Sequence, residues 1–526
     1  MRKKINHAEI ISLIGISFIA FFINFYTASR GVFPVDTFLH YDNGFRIILG
    51  ENPIKDYWIV HGFLIDYLQA IFFKIFGNSW TSYIIHSSIF NLLICLFSYY
   101  ILRLLKIDRN ISIFLIISLA FLSYPVSGTP FLDLHSSYFS LFGIYFAILG
   151  IIKEKNIFWF WTAFFLCVAF FCKQVPAGYT IIFITFLVFL FATQLKRMKI
   201  IYYYILGSVT FLFLFLFFLI FKDIPLRDFI LQIFLFPQSI GTDRYINYTL
   251  NLKNVFLDYK FIHIPLLSIV TLNIYLLKKN KKFYKSKYFQ IFLILFFYTL
   301  STLIHQFYTK NQIYIFFLIP ILIGFFFYFI ENLKFNNKKS LIYFFIFLCL
   351  FCTIKYHERF NLERKFHELS NTNIKNSIEI KNFDNKFKGL KWISPYYKNP
   401  EEEINNIILL YNLLKIDKSK KMLLTEYQFF SSLLEEKLYS PSRTYDDISF
   451  PVKKSKYFQR YKRFLIDKIN INDIKNIYIL ESNKINDKRL DNLIFNYVSK
   501  NCFDQKIINP VIRKLEIKKC KDLGTI

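Results

Sequence analysis

Residues 8–26 read AEIISLIGISFIAFFINFY, a nearly continuous apolar run close to the start of the chain. A helix rises 1.5 Å per residue, so about 20 such residues cross the roughly 30 Å hydrocarbon core of a bilayer. The run is too long for the apolar core of a signal peptide, so we expect it to be retained. Ten similar runs follow, near residues 80–102, 111–125, 134–152, 157–172, 176–194, 200–221, 260–277, 288–306, 312–330 and 340–354. The sequence therefore predicts a polytopic α-helical membrane protein with about eleven spans.

The composition supports this class and argues against another. Of 526 residues, 55% are hydrophobic and 21% aromatic, and the mean hydropathy is +0.36. A large positive net charge, here +29, is common among nucleic-acid-binding proteins. Here the Lys and Arg residues lie in short loops between spans, as the positive-inside rule expects. No basic patch with stacking aromatic residues stands apart from the spans, so we expect no nucleic-acid partner.

The same basic residues predict the orientation of the chain. They cluster at Arg2–Lys4, Arg103–Arg109, Lys153–Lys155, Lys196–Lys199, Lys278–Lys287 and Lys334–Lys339. If eleven spans alternate, all these clusters fall on one face, which the positive-inside rule makes cytoplasmic. We therefore expect a cytoplasmic N-terminus, and an odd number of spans places the tail on the outer side.

The chain is expected to divide near residue 354. Residues 1–354 would form the membrane domain, with a first outer loop at 28–79 whose segment Phe63–Gly77 is an amphipathic interfacial helix. Residues 355–526 would form a soluble extracytoplasmic domain of α/β class. Its predicted strands are Met422–Thr425 and Ile477–Leu480, and its predicted helices are Glu401–Leu414, Phe458–Ile469 and Leu490–Val498.

Seven cysteines are present, and five of them lie in or beside spans as small apolar residues. The other two, Cys502 and Cys520, lie in the tail. An outer location would allow them to form a disulfide.

The first outer loop carries polar groups that lipid solubility does not explain. Asp36 and His40 are four residues apart, so they share one face of a helix, and Asp42, Asp56 and His61 follow. One interpretation is an interfacial helix with a belt of aromatic residues and solvated charges. Another is a Mg²⁺ or Mn²⁺ site with Asp36, His40 and either Asp42 or Asp56 as ligands. A third is a catalytic site.

Further ionisable groups lie at the outer ends of later spans. Asp133 and His135 begin the fourth span, where charged groups are costly and are functional candidates; Asp133 could cap the helix, either instead of a functional role or in addition to it. Lys173 stands at the outer end of the fifth span, against the charge bias, and an ammonium there can hold a phosphate or extend toward the membrane surface. His305 and Lys310 lie in a late outer loop.

These positions resemble the GT-C superfamily of integral-membrane glycosyltransferases, most of all the protein-mannosyltransferase and lipid A aminoarabinose-transferase branch, with its rhizobial lipopolysaccharide-transferase-like relatives. The features that carry the resemblance are an acidic residue after the first span, the run Gly62–Gly77 ending in Phe-Gly, Lys173-x-x-Pro176, and the late segment from Lys310 through Tyr314 to Pro320. The family's usual Asp-Glu pair is here Asp36-Thr37. The resemblance covers about residues 8–330.

The resemblance implies an inverting transfer of a sugar from a polyprenyl-phosphate donor to an envelope glycan, lipid or protein, at the periplasmic face of a bacterial inner membrane. Asp36, or else Asp42 or Asp56, would be the general base. Lys173, His305 and Lys310 would bind the donor phosphate. The substrate-binding residues would be His40, Asp56, His61, Asp133 and His135, and first-loop aromatic residues would stack on sugars.

Two other classes remain open. An O-antigen ligase or polymerase would carry its large outer segment between late spans, whereas here the large segment is terminal. A transporter would carry acids or broken helices at the bilayer midplane and a repeat of its halves.

Overall fold

A computed structural model describes residues 7–30, 34–123, 128–246, 251–309, 315–331, 338–365, 369, 371–380, 383–445, 449–482 and 489–523. The helices up to residue 356 are α1 His7–Ala28, α2 Pro34–Ile48, α3 Leu64–Phe76, α4 Trp80–Leu104, α5 Arg109–Ser123, α6 Leu132–Lys153, α7 Ile157–Cys172, α8 Gln174–Gln194, α9 Lys199–Phe221, α10 Leu226–Ile230, α11 Phe236–Ile246, α12 Lys260–Lys279, α13 Lys287–Thr309, α14 Leu318–Ile330 and α15 Lys338–Tyr356.

The long apolar helices coincide with the predicted spans. Eight of them, α1, α4, α6, α8, α9, α12, α13 and the helix that begins with α15, are long and apolar enough to cross a membrane. Three shorter apolar helices, α5, α7 and α14, occupy the three remaining predicted positions. The prediction of a mostly helical polytopic membrane protein is confirmed. Phe63–Gly77 is helical as predicted, as α3.

The chain forms two compact units. The bundle unit consists of residues 1–28, 84–217 and 244–366, and the tail unit consists of residues 29–83, 218–243 and 367–526. This grouping differs from the division predicted near residue 354, because the first outer loop belongs to the same unit as the tail.

Within the bundle unit, α6 is buried along nearly its whole length. Polar side chains join it and its neighbours: Tyr298 donates to the carbonyl of Ser137 at 2.9 Å, and Ser98 and Tyr145 share a hydrogen bond of 2.7 Å. Such bonds between helices satisfy polar groups that lipid cannot. Gly128, with a φ of +68°, precedes α6, and a Cβ there would lie 2.6 Å from the backbone nitrogen of Ala28. Only glycine fits this approach to the end of α1.

The tail unit contains a four-stranded sheet in the order β3–β4–β6–β5. Its strands are β3 Lys421–Thr425, β4 Asn476–Leu480, β5 Phe503–Ile507 and β6 Ile512–Ile517, after a small antiparallel pair, β1 Ile378–Glu379 and β2 Lys391–Trp392. The helices are α16 Pro400–Ile416, α17 Phe430–Leu434, α18 Phe458–Ile471 and α19 Arg489–Phe495. β3 and β4 are parallel and buried along their length, and the other pairings in this sheet are antiparallel.

Both predicted strands and all three predicted tail helices are found. Strands β5 and β6 were not predicted, because their charged residues break the apolar pattern. The sulfurs of Cys502 and Cys520 are bonded, with their Cα atoms 5.3 Å apart.

First-loop aromatic residues pack into the core of the tail unit. Trp58 is buried against Tyr461 and Phe236, and its backbone nitrogen donates to the carbonyl of Pro441 at 2.8 Å. A second cluster joins α2 to the tail, and it contains Phe38, Tyr41, Trp80, Tyr83, Phe387, Trp392 and Phe429. The expectation that these rings stack on sugars is wrong for Phe38, Tyr41, Tyr57 and Trp58, which are buried against protein.

A buried ion network joins the first loop to the tail chain. Asp66 accepts from His40 Nδ1 at 2.6 Å and from Arg443 Nη2 at 3.0 Å, and Arg443 also donates to the carbonyl of Gly62 at 2.9 Å. All three side chains are almost fully buried. An ionised carboxylate can only accept, so His40 donates through Nδ1–H. Burial lowers the pKa of His40, although its hydrogen bond to Asp66 acts in the opposite direction.

A second ion network lies on the same loop. Arg46 donates to Glu51 at 2.7 Å and to the carbonyl of Ser440 at 2.8 Å, and Lys468 Nζ lies 3.5 Å from Glu51. Burial opposes ionisation of Glu51, but Arg46 and Lys468 outweigh it and hold the pKa of this carboxyl below its usual value. Glu51 is thus compensated by Arg46 within the loop and by Lys468 from the tail.

We predict that Arg443→Ala destabilises the tail unit strongly, because it removes the guanidinium that pairs with the buried Asp66 carboxylate and leaves His40 as its remaining side-chain partner in this network. Breaking a buried pair costs about 3–5 kcal/mol, which corresponds to a fall of about 6–20 °C in the melting temperature of a domain this size. Thermal unfolding of the purified full-length protein in detergent measures this fall in melting temperature.

The matched control is Arg460→Ala, which breaks the half-exposed ion pair between Arg460 and Asp228. Such a pair contributes at most about 1 kcal/mol, so its melting temperature should fall by less than about 4 °C. Equal losses in the two variants would contradict the role given to Arg443.

Candidate active site

Three candidate residues of the bundle unit meet at the start of α6. Lys173 Nζ lies 2.8 and 2.7 Å from the two carboxylate oxygens of Asp133, and His305 Nε2 lies 2.6 Å from Oδ1 of the same carboxylate. Asp133 and His305 are about 95% buried, whereas the side chain of Lys173 is 16% exposed. The sequence placed these residues at the ends of three separate spans, and the fold joins them.

The position of Lys173 follows from a local break between two helices. Pro176 disfavours helical backbone at the residue before it, and Val175 is extended, with φ −124° and ψ 126°. Lys173 is also extended, and it ends α7. Its own carbonyl accepts from Ser136 on α6 at 3.1 Å. The break therefore holds the lysine at a helix end, where its ammonium reaches α6.

Asp133 lies at the centre of the cluster and orients two side chains that could donate hydrogen bonds. The N-cap of α6 is Phe131, so the alternative in which Asp133 caps the helix is wrong. Its two carboxylate oxygens accept hydrogen bonds from Lys173 and His305. Asp133 is therefore better suited to positioning these side chains than to taking a proton from a substrate. An ammonium has three N–H groups, so at least one on Lys173 remains beyond those directed at the two carboxylate oxygens. The cluster can present that donor to an anion.

His135 lies on the same helix but makes other contacts. Its Nδ1 lies 3.0 Å from the carbonyl of Phe131, and its ring packs 4.5 Å from that of Phe90 and 5.0 Å from that of His86. Lys310 lies outside the described residues.

The first-loop candidates belong to the tail unit. Asp36 is half-buried in the first turn of α2. Asp42 is buried and accepts from the backbone of Ser432 at 3.1 Å, and burial raises its pKa to about 6. Asp56 accepts from the backbone of Asn52 at 2.6 Å, and His61 is half-buried.

The proposed divalent-metal ligands are not assembled. His40 is directed at Asp66, and Asp42 at the backbone of Ser432. Over the described part of the chain, no three His, Cys, Asp or Glu side chains are placed to share an ion. The hypothesis of a site made of Asp36, His40 and Asp42 or Asp56 therefore lacks its geometry.

Two residues of the first-loop network were not predicted as site residues. Asp66 could have been singled out, since it is an acid on the buried face of an amphipathic helix. Arg443 gave no local signal, because it lies 377 residues from its partner Asp66.

Two comparisons with known proteins bear on the chain. Residues 60–221 match the family model described as dolichyl-phosphate-mannose-protein mannosyltransferase. That range contains Asp133 and Lys173 but not Asp36 or His305. No curated protein sequence matches the chain.

The fold is similar to that of a solved structure, ArnT from Cupriavidus metallidurans bound to undecaprenyl phosphate. The TM-score is 0.52 at 10% identity, and the match covers 97% of this chain and 98% of that one. Both comparisons agree with the resemblance predicted from the sequence: the chain has a fold similar to that of ArnT, and residues 60–221 match a mannosyltransferase family model.

Proposed function

We propose that the chain is a membrane glycosyltransferase that moves a sugar from a polyprenyl-phosphate donor to an envelope glycan, lipid or protein acceptor with inversion. The observation that carries the proposal is the Asp133–Lys173–His305 cluster. It holds a partly exposed ammonium at a helix end, in a fold similar to one solved with undecaprenyl phosphate. The reaction belongs at the periplasmic face of a bacterial inner membrane, with the N-terminus cytoplasmic and the tail periplasmic.

The leaving group defines the work of the cluster. When the acceptor oxygen attacks the anomeric carbon, the bond from that carbon to the phosphate oxygen breaks, and the polyprenyl phosphate leaves with the electron pair. Negative charge grows on the phosphate, so preorganised donors there lower the barrier. Lys173 supplies the hydrogen-bond donor, and Asp133 and His305 fix the direction of its ammonium group. Lys310 is a further candidate for binding the same phosphate.

We assign the general base to Asp36. A base must reach the acceptor hydroxyl, and Asp36 is half-buried, whereas Asp42 is buried against Ser432. Asp56 is half-buried as well, and Asp36 is preferred because it is the acid that follows the first span. Asp36 also lies in the first turn of α2, where the helix dipole favours a negative charge. It would take the proton from the acceptor hydroxyl as the new bond forms. His40, His61 and His135 stay proposals for substrate binding.

We predict that Asp36→Asn lowers sugar transfer by about 10²–10⁴-fold, because an amide cannot accept the proton. In a strain that lacks the gene, mass spectrometry of envelope glycans identifies the sugar and acceptor as the mass that disappears. Plasmid-borne wild type should restore that mass and Asp36→Asn should not. The control is Asp504→Asn, a surface carboxylate, which should restore it fully. If Asp36→Asn restored the missing mass, Asp36 would not be the general base.

We predict that Lys173→Ala weakens binding of undecaprenyl phosphate by about 10–100-fold, the effect of losing one charged hydrogen bond. Binding of this lipid to the purified protein needs no knowledge of the sugar. Lys279→Ala, an exposed lysine at the end of α12, is the control and should bind normally. Asp36→Asn should also bind normally, since it acts on the acceptor. Normal binding by Lys173→Ala would remove the phosphate role.

We predict that Asp42→Asn stabilises the protein at neutral pH but not at acid pH. The carboxyl of Asp42 has a pKa of about 6 when folded, above its ordinary value of 3.8. Below pH 4 both states are protonated. Between pH 4 and 6 only the unfolded state loses the proton, so stability falls as the pH rises, by roughly 3 kcal/mol in total.

Melting temperatures of wild type and Asp42→Asn at pH 4.5, 6 and 7.5 test this. The advantage of the variant should grow across the series, whereas the exposed-site variant Asp504→Asn should show no such trend. A constant difference between Asp42→Asn and wild type would show that Asp42 ionises normally in the fold.

A further inference from the structure

A cavity of about 210 Å³ lies at the end of the bundle unit opposite to the Asp133 cluster. It is lined by Gly150, Ile151, Glu154, Trp159, Leu195, Arg197, Ile200, Lys285, Lys287 and Gln290. Asp133 and Gly150 both lie on α6, 17 residues apart, so the two sites are separated by about 26 Å of helix. That length is close to the hydrocarbon thickness of a bilayer, so the cavity opens at the other membrane surface.

The charged lining of the cavity is mostly basic. Arg197, Lys285 and Lys287 face a single carboxylate, Glu154. Lys287 is paired with Glu154 at 2.5 Å, and Arg197 Nη2 donates to the carbonyl of Glu154 at 2.7 Å and to Asn156 at 3.2 Å. A guanidinium has five N–H groups, so several remain on Arg197 beyond these contacts. Lys285 is exposed and forms no ion pair within the described ranges.

The floor of the cavity carries a polar group that protein atoms leave unsatisfied. Gln290 is 2% exposed, and its side-chain Nε2 has no hydrogen-bond partner among the described residues. A buried donor without a partner is costly, so an acceptor in the cavity would stabilise it. The volume is far above the ~10–15 Å³ that a single water needs, so a larger group fits.

The apolar lining indicates where that group comes from. Trp159 packs so closely on α6 that a Cβ at Gly150 would lie 2.9 Å from its Nε1, and Ile151 and Ile200 complete an apolar wall. Tryptophan beside lysine and arginine at the end of a span is typical of the lipid headgroup region. Basic pockets between membrane helices bind anionic headgroups.

We propose that this cavity binds the phosphate of an anionic glycerophospholipid, at the membrane surface opposite to the donor cluster. Arg197 and Lys285 carry the charge, Gln290 donates to a phosphate oxygen, and Trp159 lies along the glycerol and upper acyl chain. The bound lipid would hold together the ends of α6, α7, α8, α9 and α13. This site is separate from sugar transfer and does not depend on it.

The test is native mass spectrometry of the full-length protein after delipidation, titrated with phosphatidylglycerol or with phosphatidylcholine in detergent. We expect one tightly bound phosphatidylglycerol and no matching phosphatidylcholine. Lys285→Glu should weaken that binding by about 25-fold, because it replaces an attractive charge with a repulsive one. Lys173→Ala should not change it, which separates this site from the donor phosphate site.

The matched control is Lys282→Glu, in the same short helical turn Lys281–Lys285 but outside the cavity lining. Equal losses in Lys285→Glu and Lys282→Glu would mean diffuse surface attraction and overturn the proposal. Leu195→Trp fills the cavity without changing charge and should also abolish tight binding. Competition by millimolar inorganic phosphate, with the same dependence on Lys285, would mean a site for free phosphate rather than lipid and would equally overturn it.

Discussion

The cost of burying an ion without a partner is the constraint on which both units depend. Asp133 is nearly fully buried at the start of α6, and the fold compensates it with Lys173 and His305. A lone carboxylate at that depth would be strongly destabilising, so the three helix ends must meet. The proposed donor site is a product of this requirement, because the cation that neutralises Asp133 still has an N–H to offer.

The same constraint makes the first outer loop part of the tail unit. Asp66 and Glu51 are buried carboxylates. Arg443 from the distant tail pairs with Asp66, and Lys468 from the tail adds to the local partner Arg46 at Glu51. Around them the aromatic residues that looked like a membrane belt or a sugar platform form a protein core with tail residues. The loop is therefore held in place by the tail residues. Asp36 lies in the first turn of α2, and the following turns of this helix are buried.

How far the sequence predicted the site depended on how local each signal was. Asp133, Lys173 and His305 were identifiable because they lie at the predicted outer ends of spans, away from the basic clusters of the opposite face. The metal hypothesis for Asp36, His40 and Asp42 failed because shared spacing on a helix does not fix where side chains point. His40 turned to Asp66, a residue 26 positions away. The buried role of Arg443 could not be predicted, because nothing near it in the chain distinguishes it from a surface arginine.

The sequence alone determined the approximate number and position of the apolar helices and two buried strands of the tail, because these depend on composition and periodicity within 5 to 25 residues. The GT-C resemblance was carried by particular residues, such as Lys173 and Pro176. The tertiary structure alone decided which ionisable groups meet and which unit the first loop joins. Those outcomes depend on the energy of pairing charged groups that lie up to 377 residues apart in the chain. Local pattern carries no information about such partners, whereas desolvation makes them obligatory once the chain is folded.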